Sequence, residues 1–491
     1  MTSSLQSIAL GAWSETRELM VEVAKEIKRR HGSKIHLYCA NEDTRDHYLA
    51  NNDDGLFDSI VVTPTLIDFA NEKIEDIEQE FFVARKNEKY LGSTLNKFAV
   101  SNRHVGRGYA LAGFYHPRSR ASEAITYEQM VHSFNRLILF WQKEIVEKKI
   151  SLVVHCGNVA ASIAEAESIP FRQFSIARVA NRVHWSWNTY HENPRILARY
   201  LQNKENDFDG VEAVTKPYHS HLAHRNVYEQ KMSLRGTIHD ISLQIAYHIY
   251  WRLKKLEKGK SYFLSSEISY LYRRWRDWNK VQKLSTTTLE NLDSKKWVYY
   301  PLHIEPETGF HGISPEYFYQ LSLIAAVSRD LPAGVRLGVK ELYAAVGRRP
   351  DNFYDQINDL KNVFLIDPKE HGFDCAQKCD AVVTICGTGG FEAAMFGKPV
   401  VTFGRHNMYN ALPHVHAITD EVELPSVLEK CLCEKHDTDE AIQDCRRLLH
   451  AIEAETFDMG EYDFINLNSF NTQSVVDACD FLEKSLGDDV G

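Results

Sequence analysis

The sequence has 491 residues, of which 44% are hydrophobic and 25% are charged, and this composition is typical of a globular protein. Its length exceeds what one hydrophobic core usually supports, so we expect more than one folding unit. A net charge of −10 argues against nucleic acid as the main partner. Because we find neither a secretory signal nor an uninterrupted apolar run of about 20 residues, we expect a cytoplasmic protein without a membrane-spanning helix.

The first part of the chain alternates apolar strand-like runs with amphipathic helical segments. Successive strands separated by a helix form βαβ units, which predict a parallel sheet with right-handed crossovers. We therefore predict a Rossmann-like N-terminal domain over residues 1–205. Its strands are expected at residues 7–13, 34–39, 59–63, 151–155 and 171–176, and its longest helix at residues 125–148.

Residues 206–292 interrupt this alternation and read as a helical insert or linker. Within it, the segment from Trp251 to Lys283 interleaves lysine and arginine with aromatic residues. Such a pattern is typical of a contact with an anionic membrane surface. It is equally typical of a solvated helical connector whose aromatic side chains pack on a domain, so both interpretations stay open.

The alternation of strands and helices resumes over residues 293–470 and predicts a second doubly wound sheet. The expected strands are residues 297–302, 336–339, 363–366, 381–385 and 400–403. Residues 471–491 form a last helix that we expect to pack back on the N-terminal domain. The predicted fold class is α/β, with two Rossmann-like doubly wound domains and a helical insert between them.

The most informative motif is the turn Gly387-Thr388-Gly389-Gly390, which lies between a predicted strand and a predicted helix. Unpaired backbone N–H groups at a helix N-terminus attract anions, and glycines allow close approach, so the motif predicts a phosphate-binding turn. Its spacing fits neither a Walker-type ATPase nor a nicotinamide-dependent dehydrogenase. Glu392 is expected in the first helical turn, where it either binds a ribose or sugar hydroxyl or balances the helix dipole.

Other candidate ligand-binding residues follow the predicted strands of the second domain, because open parallel sheets bind ligands beyond the carboxyl ends of their strands. His303, Glu305 and Glu307 are predicted to bind ribose or sugar hydroxyls, with His303 near a phosphate, or else to form a polar rim. Lys340 ends a strand that would direct its ammonium group at the same crevice. No metal-binding motif is present, so we expect a metal-independent site without a separate cofactor.

In the N-terminal part, the loop Asn102-Arg-His-Val-Gly-Arg-Gly108 places a histidine between two arginines. His104 is our candidate for the catalytic base, and Arg103 and Arg107 are candidates for binding an anionic acceptor. Arg178 and Arg182 follow the predicted strand at residues 171–176. They are expected to hold a carboxylate or phosphate of donor or acceptor, or to pair with the helical insert.

The residues from Asp380 to Gly404 read strand, Gly-Thr-Gly-Gly-x-Glu-Ala, small residues, Gly-Lys-Pro-Val and Phe-Gly. This order resembles the donor half of glycosyltransferases of the GT-B architecture, and within them the capsule polysaccharide biosynthesis proteins. The segments 300–307, 331–341 and 361–367 fit the same pattern, so the resemblance covers roughly residues 295–405. It implies two facing Rossmann-like domains, with the nucleotide-sugar donor held by the second one.

The resemblance further implies transfer of a sugar from a CMP- or UDP-linked donor to a growing surface or capsular polysaccharide, or to its lipid-linked acceptor. The partners would be the nucleotide sugar, a glycan or glycolipid and an anionic membrane surface at the inner face of the plasma membrane, and no nucleic acid. A nucleotide-sugar 2-epimerase that needs no NAD has the same architecture. A non-catalytic subunit that binds nucleotide sugar or polysaccharide is the third alternative.

Overall fold

The chain folds into two compact units, each built from discontinuous segments. The computed structural model describes residues 4–13, 16–52, 54–105, 115–208, 227–256, 262–305, 312–460 and 471–487. The first unit comprises Met1–Phe98, Thr126–Asn206 and Arg447–Gly491, and the second comprises Ala99–Ile125 and Asp207–Arg446. The end of the chain therefore belongs to the first unit. Residues 99–125, which the sequence analysis assigned to the N-terminal domain, belong to the second.

The strands alternate with helices along most of the described chain. The strands are β1 (Ser7–Ala12), β2 (Lys34–Cys39), β3 (Ser59–Val62), β4 (Leu152–Val154), β5 (Phe171–Ile176), β6 (Arg182–Ser186), β7 (Trp297–Pro301), β8 (Arg336–Lys340), β9 (Val363–Ile366), β10 (Ala381–Thr384), β11 (Val400–Thr402), β12 (Val415–Ala417) and β13 (Phe457–Asp458). The helices are α1 (Arg17–His31), α2 (Glu42–Ala50), α3 (Leu66–Ala70), α4 (Ile77–Leu91), α5 (Leu95–Ser101), α6 (Arg120–Ala124), α7 (Tyr127–Lys148), α8 (Asn158–Ala166), α9 (Pro194–Gln202), α10 (Leu234–Leu253), α11 (Leu264–Leu284), α12 (Gln320–Asp330), α13 (Phe353–Asn358), α14 (Gly372–Lys378), α15 (Thr388–Met395), α16 (Leu424–Cys433), α17 (Thr438–Ala454) and α18 (Thr472–Leu486).

The sheet of the first unit has the order β13-β6-β5-β4-β1-β2-β3. Strands β5, β4, β1, β2 and β3 are parallel, β6 runs antiparallel to β5, and the edge strand β13 runs antiparallel to β6. The C-terminal helix α18 completes this unit: Arg30 of α1 forms ion pairs with Asp480 at 2.6 Å and Glu483 at 3.0 Å. The indole nitrogen of Trp185 donates to the carbonyl of Ala478 at 2.7 Å.

The sheet of the second unit is parallel throughout and has the order β12-β11-β10-β7-β8-β9. Counted from β7, this is the strand order 3-2-1-4-5-6 of a doubly wound nucleotide-binding sheet. Its strands are buried on both faces, as parallel strands covered by helices must be. The predicted second doubly wound sheet is confirmed, and its strand order reverses direction between β7 and β10, where such sheets bind ligands.

Helices α10 and α11 lie between the two sheets in sequence and confirm the predicted helical insert. They contact each other, and Arg274 of α11 pairs with Asp240 of α10 at 2.8 Å. Arg273 and Arg276 pair with Asp351 at 3.3 and 2.5 Å. Most arginines of this basic segment are therefore neutralised within the second unit. Among the helices of the described residues, none is both long and apolar enough to cross a bilayer.

Candidate functional site

The glycine turn forms the start of helix α15. Strand β10 ends at Thr384, and the helix begins at Thr388 with Gly387 as its N-cap residue. Because glycine has no side chain, Gly387 provides no side-chain cap for the helix. The amide of Gly390 donates to the carbonyl of Gly387 at 3.2 Å. The amides of Thr388 and Gly389 stand before it at the N-terminus of the helix, where amide groups point away from the helix body. Together with the helix dipole they are suited to bind an anion.

Close packing beneath the turn requires glycine at position 390 and leaves little room for a side chain at position 389. A Cβ atom at Gly390 would lie 2.5 Å from Thr384 Cγ2 and 2.7 Å from the Tyr409 hydroxyl oxygen. A Cβ atom at Gly389 would lie 3.2 Å from Pro301 Cγ, so this position faces strand β7. The absence of side chains therefore lets the helix start sit tightly against β7 and β10.

His303 follows β7 and lies beside the glycine turn, because β7 and β10 are neighbours in the sheet. Its Nε2 is 3.3 Å from the Thr384 hydroxyl, which also accepts from the Gly387 amide at 3.3 Å. The backbone of His303 is fixed by Gln320, whose side chain accepts from its amide at 2.7 Å. The turn and His303 thus lie at the point where the strand order reverses, and their binding of a donor stays a prediction.

Glu305 occupies a different environment from the one that its spacing predicted. Its carboxylate is fully buried and pairs with Arg349 Nη1 at 2.7 Å. Arg349 also pairs with Glu341 at 2.8 Å and donates to the carbonyl of His303 at 2.7 Å. Burial would lower the pKa of the Arg349 guanidinium, but Glu341 and Glu305 outweigh burial and raise it. Glu305 therefore holds the loop that carries His303, instead of lying open to a ribose or sugar hydroxyl.

Lys340 and Glu392 also differ from the sequence-based expectation. Lys340 is buried, its ammonium group donates to the carbonyl of Glu341 at 3.3 Å, and burial lowers its pKa. The ammonium group is thus in the interior and not open to a crevice. Glu392 is the fifth residue of α15, so it lies in the second helical turn and not in the first. Glu307 and Arg107 lie outside the described residues.

His104 belongs to the second unit, and its ring is oriented by backbone contacts. Its Nδ1 lies 3.1 Å from the carbonyl of Arg118, so Nδ1 carries the hydrogen and Nε2 keeps its lone pair. Asn102 accepts from the amides of His104 and Val105 at 2.8 and 3.0 Å and fixes the loop. Burial, with Arg103 and Arg118 adding to it, lowers the pKa of His104. The imidazole is therefore neutral near pH 7, which is the state that a general base requires.

A chain of contacts connects the His104 loop with the glycine turn inside the second unit. Arg103 Nη1 lies 2.9 Å from His116 Nε2, and the amide of Tyr115 donates to the carbonyl of Arg348 at 2.7 Å. The next residue, Arg349, holds the carbonyl of His303. The predicted base and the predicted donor turn are thus parts of one folded unit, contrary to the assignment of His104 and Arg103 to the N-terminal domain.

The two candidate arginines of the first unit have unequal surroundings. Arg182 donates through Nε to the Thr456 hydroxyl at 2.8 Å and through Nη2 to the carbonyls of Glu453 and Thr456 at 2.6 Å. These contacts make Arg182 a structural link to the end of α17. Arg178 adopts a positive φ of 63° and is close enough to His191 to lower its pKa, after burial. A ligand for Arg178 stays a prediction.

Several residues that shape the site escaped the sequence analysis. Thr384 looks like an ordinary strand residue, yet its hydroxyl contacts both His303 and Gly387. Tyr409 donates to the carbonyl of Gly387 at 3.2 Å, and Asn407 donates to the carbonyl of Ile385 at 2.9 Å. One sequence signal could have indicated Asn407 and Tyr409. They follow Phe403-Gly404 at the end of β11, which is the parallel neighbour of β10, so they are expected at the same edge of the sheet as the glycine turn.

Within the described ranges, no group of three or more histidine, cysteine, aspartate or glutamate side chains has the arrangement of a metal site. The expected independence from metal nevertheless stays a prediction. No protein-family model and no curated protein matches the sequence.

Solved structures with a similar arrangement include enzymes of several kinds. KpsC, a beta Kdo 2,7 transferase from Thermosulfurimonas dismutans, is 16% identical over 62% of this chain and 88% of its own, with a TM-score of 0.29. The UDP-GlcNAc 2-epimerase from Methanocaldococcus jannaschii is 12% identical over 91% and 99%, with a TM-score of 0.26. The N-terminal domain of trehalose-6-phosphate phosphatase from Candida albicans is 8% identical over 98% and 97%, with a TM-score of 0.30.

Proposed function

We propose that the chain is a glycosyltransferase that moves a sugar from a nucleotide-activated donor to a polysaccharide or its lipid-linked precursor, without a metal ion. The observation that carries this proposal is the glycine turn at the strand-order reversal of a parallel nucleotide-binding sheet, beside His303. This is where doubly wound sheets bind nucleotides, and the turn has the backbone donors that a phosphate needs.

The donor phosphate is assigned to the start of α15. There the amides of Thr388 and Gly389 stabilise the negative charge that grows on the phosphate as the bond to the sugar breaks. His303, next to the turn, adds a hydrogen-bonding side chain at the same edge. This arrangement accounts for leaving-group stabilisation by backbone groups alone, so it needs no divalent cation.

The acceptor hydroxyl is assigned to His104. The lone pair on its Nε2 takes the proton of the hydroxyl while the acceptor oxygen bonds to the anomeric carbon of the sugar. The bond between that carbon and the donor phosphate oxygen breaks, and its electron pair leaves with the phosphate. Neutral His104 in a loop of the same unit as the glycine turn supports this role.

The proposed donors are CMP- or UDP-linked sugars, and the proposed location is the cytoplasm, peripherally at the inner face of the plasma membrane. This location would bring a lipid-linked acceptor to the site. We further propose that the product is a capsular or surface polysaccharide. This identification of the product depends on the resemblance to capsule polysaccharide biosynthesis proteins.

The test is a screen with two stages. Thermal unfolding is first followed with CMP, UDP, GDP and CDP, because a ligand that binds the native state raises the unfolding temperature. Sugars linked to the stabilising nucleotide are then incubated with glycan acceptors, with and without EDTA. We expect acceptor-dependent transfer that survives EDTA. Interconversion of two nucleotide sugars without acceptor would identify an epimerase instead, and loss of transfer in EDTA with recovery in magnesium would overturn the metal-free mechanism.

A further inference from the structure

A cavity of about 250 Å³ lies in the second unit, and none of its lining residues belongs to the glycine turn. It is formed where helix α6 and the residues before it meet the first turns of α11. The lining side chains are mostly cationic or hydroxyl-bearing: Tyr115, His116, Arg120, Glu123, Ser265, Ser266 and Ser269. Among these described lining residues, Glu123 is the one carboxylate. The cavity is therefore polar and rich in hydrogen-bond donors.

Three arginines at or near this cavity, Arg118, Arg120 and Arg348, have no carboxylate partner among the described residues. Arg120 donates to the Ser265 hydroxyl at 2.7 Å, and its guanidinium lies 5.0 Å from the centre of the Phe263 ring. Within the part of the chain that the structure describes, neither Arg120 nor its neighbours Arg118 and Arg348 form an ion pair. The buried Nε of Arg348 has no hydrogen-bond partner there either. This contrasts with Arg274 in the same unit, which pairs with Asp240.

His116 is buried at the cavity wall and lies next to arginine side chains. Burial, followed by Arg103 and Arg348, lowers the pKa of His116 to about 3. Its Nδ1 faces the amide of Arg118 at 3.1 Å, and its Nε2 faces the guanidinium of Arg103 at 2.9 Å. A neutral imidazole has one N–H group and one acceptor, so one of these two contacts sets a donor against a donor. An anion nearby would offset this excess of donors and of positive charge.

The N-terminus of α11 adds to the positive electrostatic potential at this cavity. Phe263 precedes the helix and provides no side-chain cap, and Ser265 and Ser266 of its first turn line the cavity. The positive end of the helix dipole is therefore at the cavity wall. Guanidinium, hydroxyl and backbone N–H donors of this kind are the groups that bind phosphate oxygens.

We propose that this cavity is a phosphate subsite, distinct from the glycine turn, and that it holds a phosphate group of the acceptor. Arg120 and Ser265 bind the phosphate oxygens, while Arg118 and Arg348, which form no ion pair with any described residue, supply the surrounding positive charge. Phosphate binding does not depend on the reaction, whereas its assignment to the acceptor rests on the proposed transferase function. His104, which contacts Arg118 next to this cavity, then lies close to an acceptor held there.

The experiment measures binding of inorganic phosphate by calorimetry to the full chain and to four variants. Arg120→Gln removes the proposed ligand, and Glu123→Gln removes the carboxylate that repels a phosphate. Arg85→Gln is a matched control, since Arg85 is exposed on α4 in the first unit. Thr388→Pro removes a backbone donor at the glycine turn, so that the two sites are read separately.

We expect Arg120→Gln to weaken one class of phosphate site about tenfold or more, because hydrogen bonds between charged groups are strong. Glu123→Gln is expected to increase the phosphate affinity of the same class of site. The control Arg85→Gln is expected to change the affinity of neither class of site. Nucleotide binding by Arg120→Gln should equal that of the wild type. Phosphate binding that is unaffected by Arg120→Gln, or that disappears completely in Thr388→Pro, would overturn the subsite.

A second comparison identifies the source of the phosphate. Glycerol 3-phosphate represents a water-soluble ester, and octyl phosphate represents a lipid-linked one. Arg120-dependent binding that is tighter for octyl phosphate assigns the site to a lipid-linked acceptor, whereas equal or tighter binding of glycerol 3-phosphate assigns it to a soluble one. If no nucleotide sugar is used and Arg120-dependent phosphate binding persists, the subsite stands and its assignment to the acceptor falls.

Discussion

At the glycine turn, some residues are candidates for donating hydrogen bonds to a ligand, whereas others stabilise the turn itself. The amide of Thr388 begins helix α15, whereas the Tyr409 hydroxyl holds the carbonyl of Gly387 from below. Gly389 and Gly390 are packed against β7 and β10, so substitutions there disturb the fold along with any ligand. A test of the phosphate site therefore has to remove a backbone donor without adding bulk beneath the turn.

Thr388→Pro meets this condition. Proline is accepted at the first position of a helix, and Gly387, with φ −75° and ψ 157°, has the extended backbone that a residue before proline prefers. We expect nucleotide affinity to fall about tenfold, since a hydrogen bond to a charged group contributes about 1.5–3 kcal/mol. Thr388→Ala is the control, because it keeps the amide donor. Equal nucleotide affinities of the two variants, both folded, would show that this amide does not bind the ligand.

The ring of His104 gives a prediction for the pH dependence of transfer. Because burial and the neighbouring arginines lower its pKa below about 6.5, the base is unprotonated at neutral pH and is lost only as the pH falls through the lowered pKa. We expect the acidic limb of the kcat/KM profile to lie below pH 6.5 and to vanish in His104→Gln, with a loss of about 100-fold or more at neutral pH. A His104→Gln variant that keeps the acidic limb would assign the base elsewhere.

At the scale of elements, the loops after β7 and β8 are joined by a buried network of charged groups. Arg349 connects Glu305, Glu341 and the carbonyl of His303, and Tyr354 donates to Glu341 at 2.8 Å. Charges that are buried and paired in this way are costly to separate. The network therefore fixes the position of the two loops that border the glycine turn.

Among the described residues, helix α10 carries several exposed apolar side chains. Leu234, Ile238, Ile245 and Ile249 recur at helical spacing and are 39–57% exposed, and the basic residues Arg252, Lys254 and Lys255 lie at and beyond its C-terminal end. Apolar faces flanked by basic residues are typical of helices that lie on anionic membranes. The membrane contact of the segment from Trp251 to Lys283 stays a prediction. We test it at Lys254 and Lys255, because Arg273, Arg274 and Arg276 are paired with carboxylates.

We expect the protein to sediment with anionic liposomes at low salt and to be released at high salt. Lys254→Gln together with Lys255→Gln should weaken binding about thirtyfold, since each lysine near such a surface contributes about 1 kcal/mol. Ile245→Ser with Ile249→Ser should weaken it further. Lys89→Gln with Lys143→Gln, two exposed lysines of the first unit, is the matched control. If all of these variants sediment with liposomes to the same extent as the wild type, α10 does not bind the membrane and serves only as a connector.

For the whole molecule, buried histidines are expected to make stability depend on pH. Burial lowers the pKa of His155 and His191 to about 4 and of His184 to about 3 in the first unit, and that of His414 to about 4 in the second. Each is neutral in the folded chain, whereas the unfolded chain binds protons below about pH 6.5. The free energy of unfolding is therefore fully retained above pH 6.5 and falls as the pH drops towards 4.

Urea unfolding at pH 7.5, 5.5 and 4.5 measures this loss, which is at most about 1.4 kcal/mol per pH unit for each histidine. His184→Gln should make the decline less steep by about one proton. His47→Gln, at an exposed position of α2, should leave it unchanged. Stability that does not change between pH 7.5 and 4.5 would mean that these histidines are protonated in the folded protein as well.

The sequence determined the local parts of this fold, because hydrophobic periodicity and turn residues act over short distances. The run Ala381 to Ile385 followed by glycines predicted a strand, a turn and a helix start, and the structure has β10 and α15 there. The alternation of strands and helices likewise predicted two doubly wound sheets. The proximity of His303 to the turn followed from one rule, that parallel strands end at the same edge.

Only the tertiary structure decided which polar residues are open to a ligand and which serve the interior. Glu305 and Arg182 have the spacing of binding residues, yet each has its partner within the fold, because Arg349 and the end of α17 come near them from distant parts of the chain. Lys340 is buried by the packing around it, and its ammonium group donates to the carbonyl of the next residue, Glu341. The same holds for residues 99–125, which pack into the second unit. Pairing over such separations depends on how the elements pack, and that information is not contained in any short stretch of sequence.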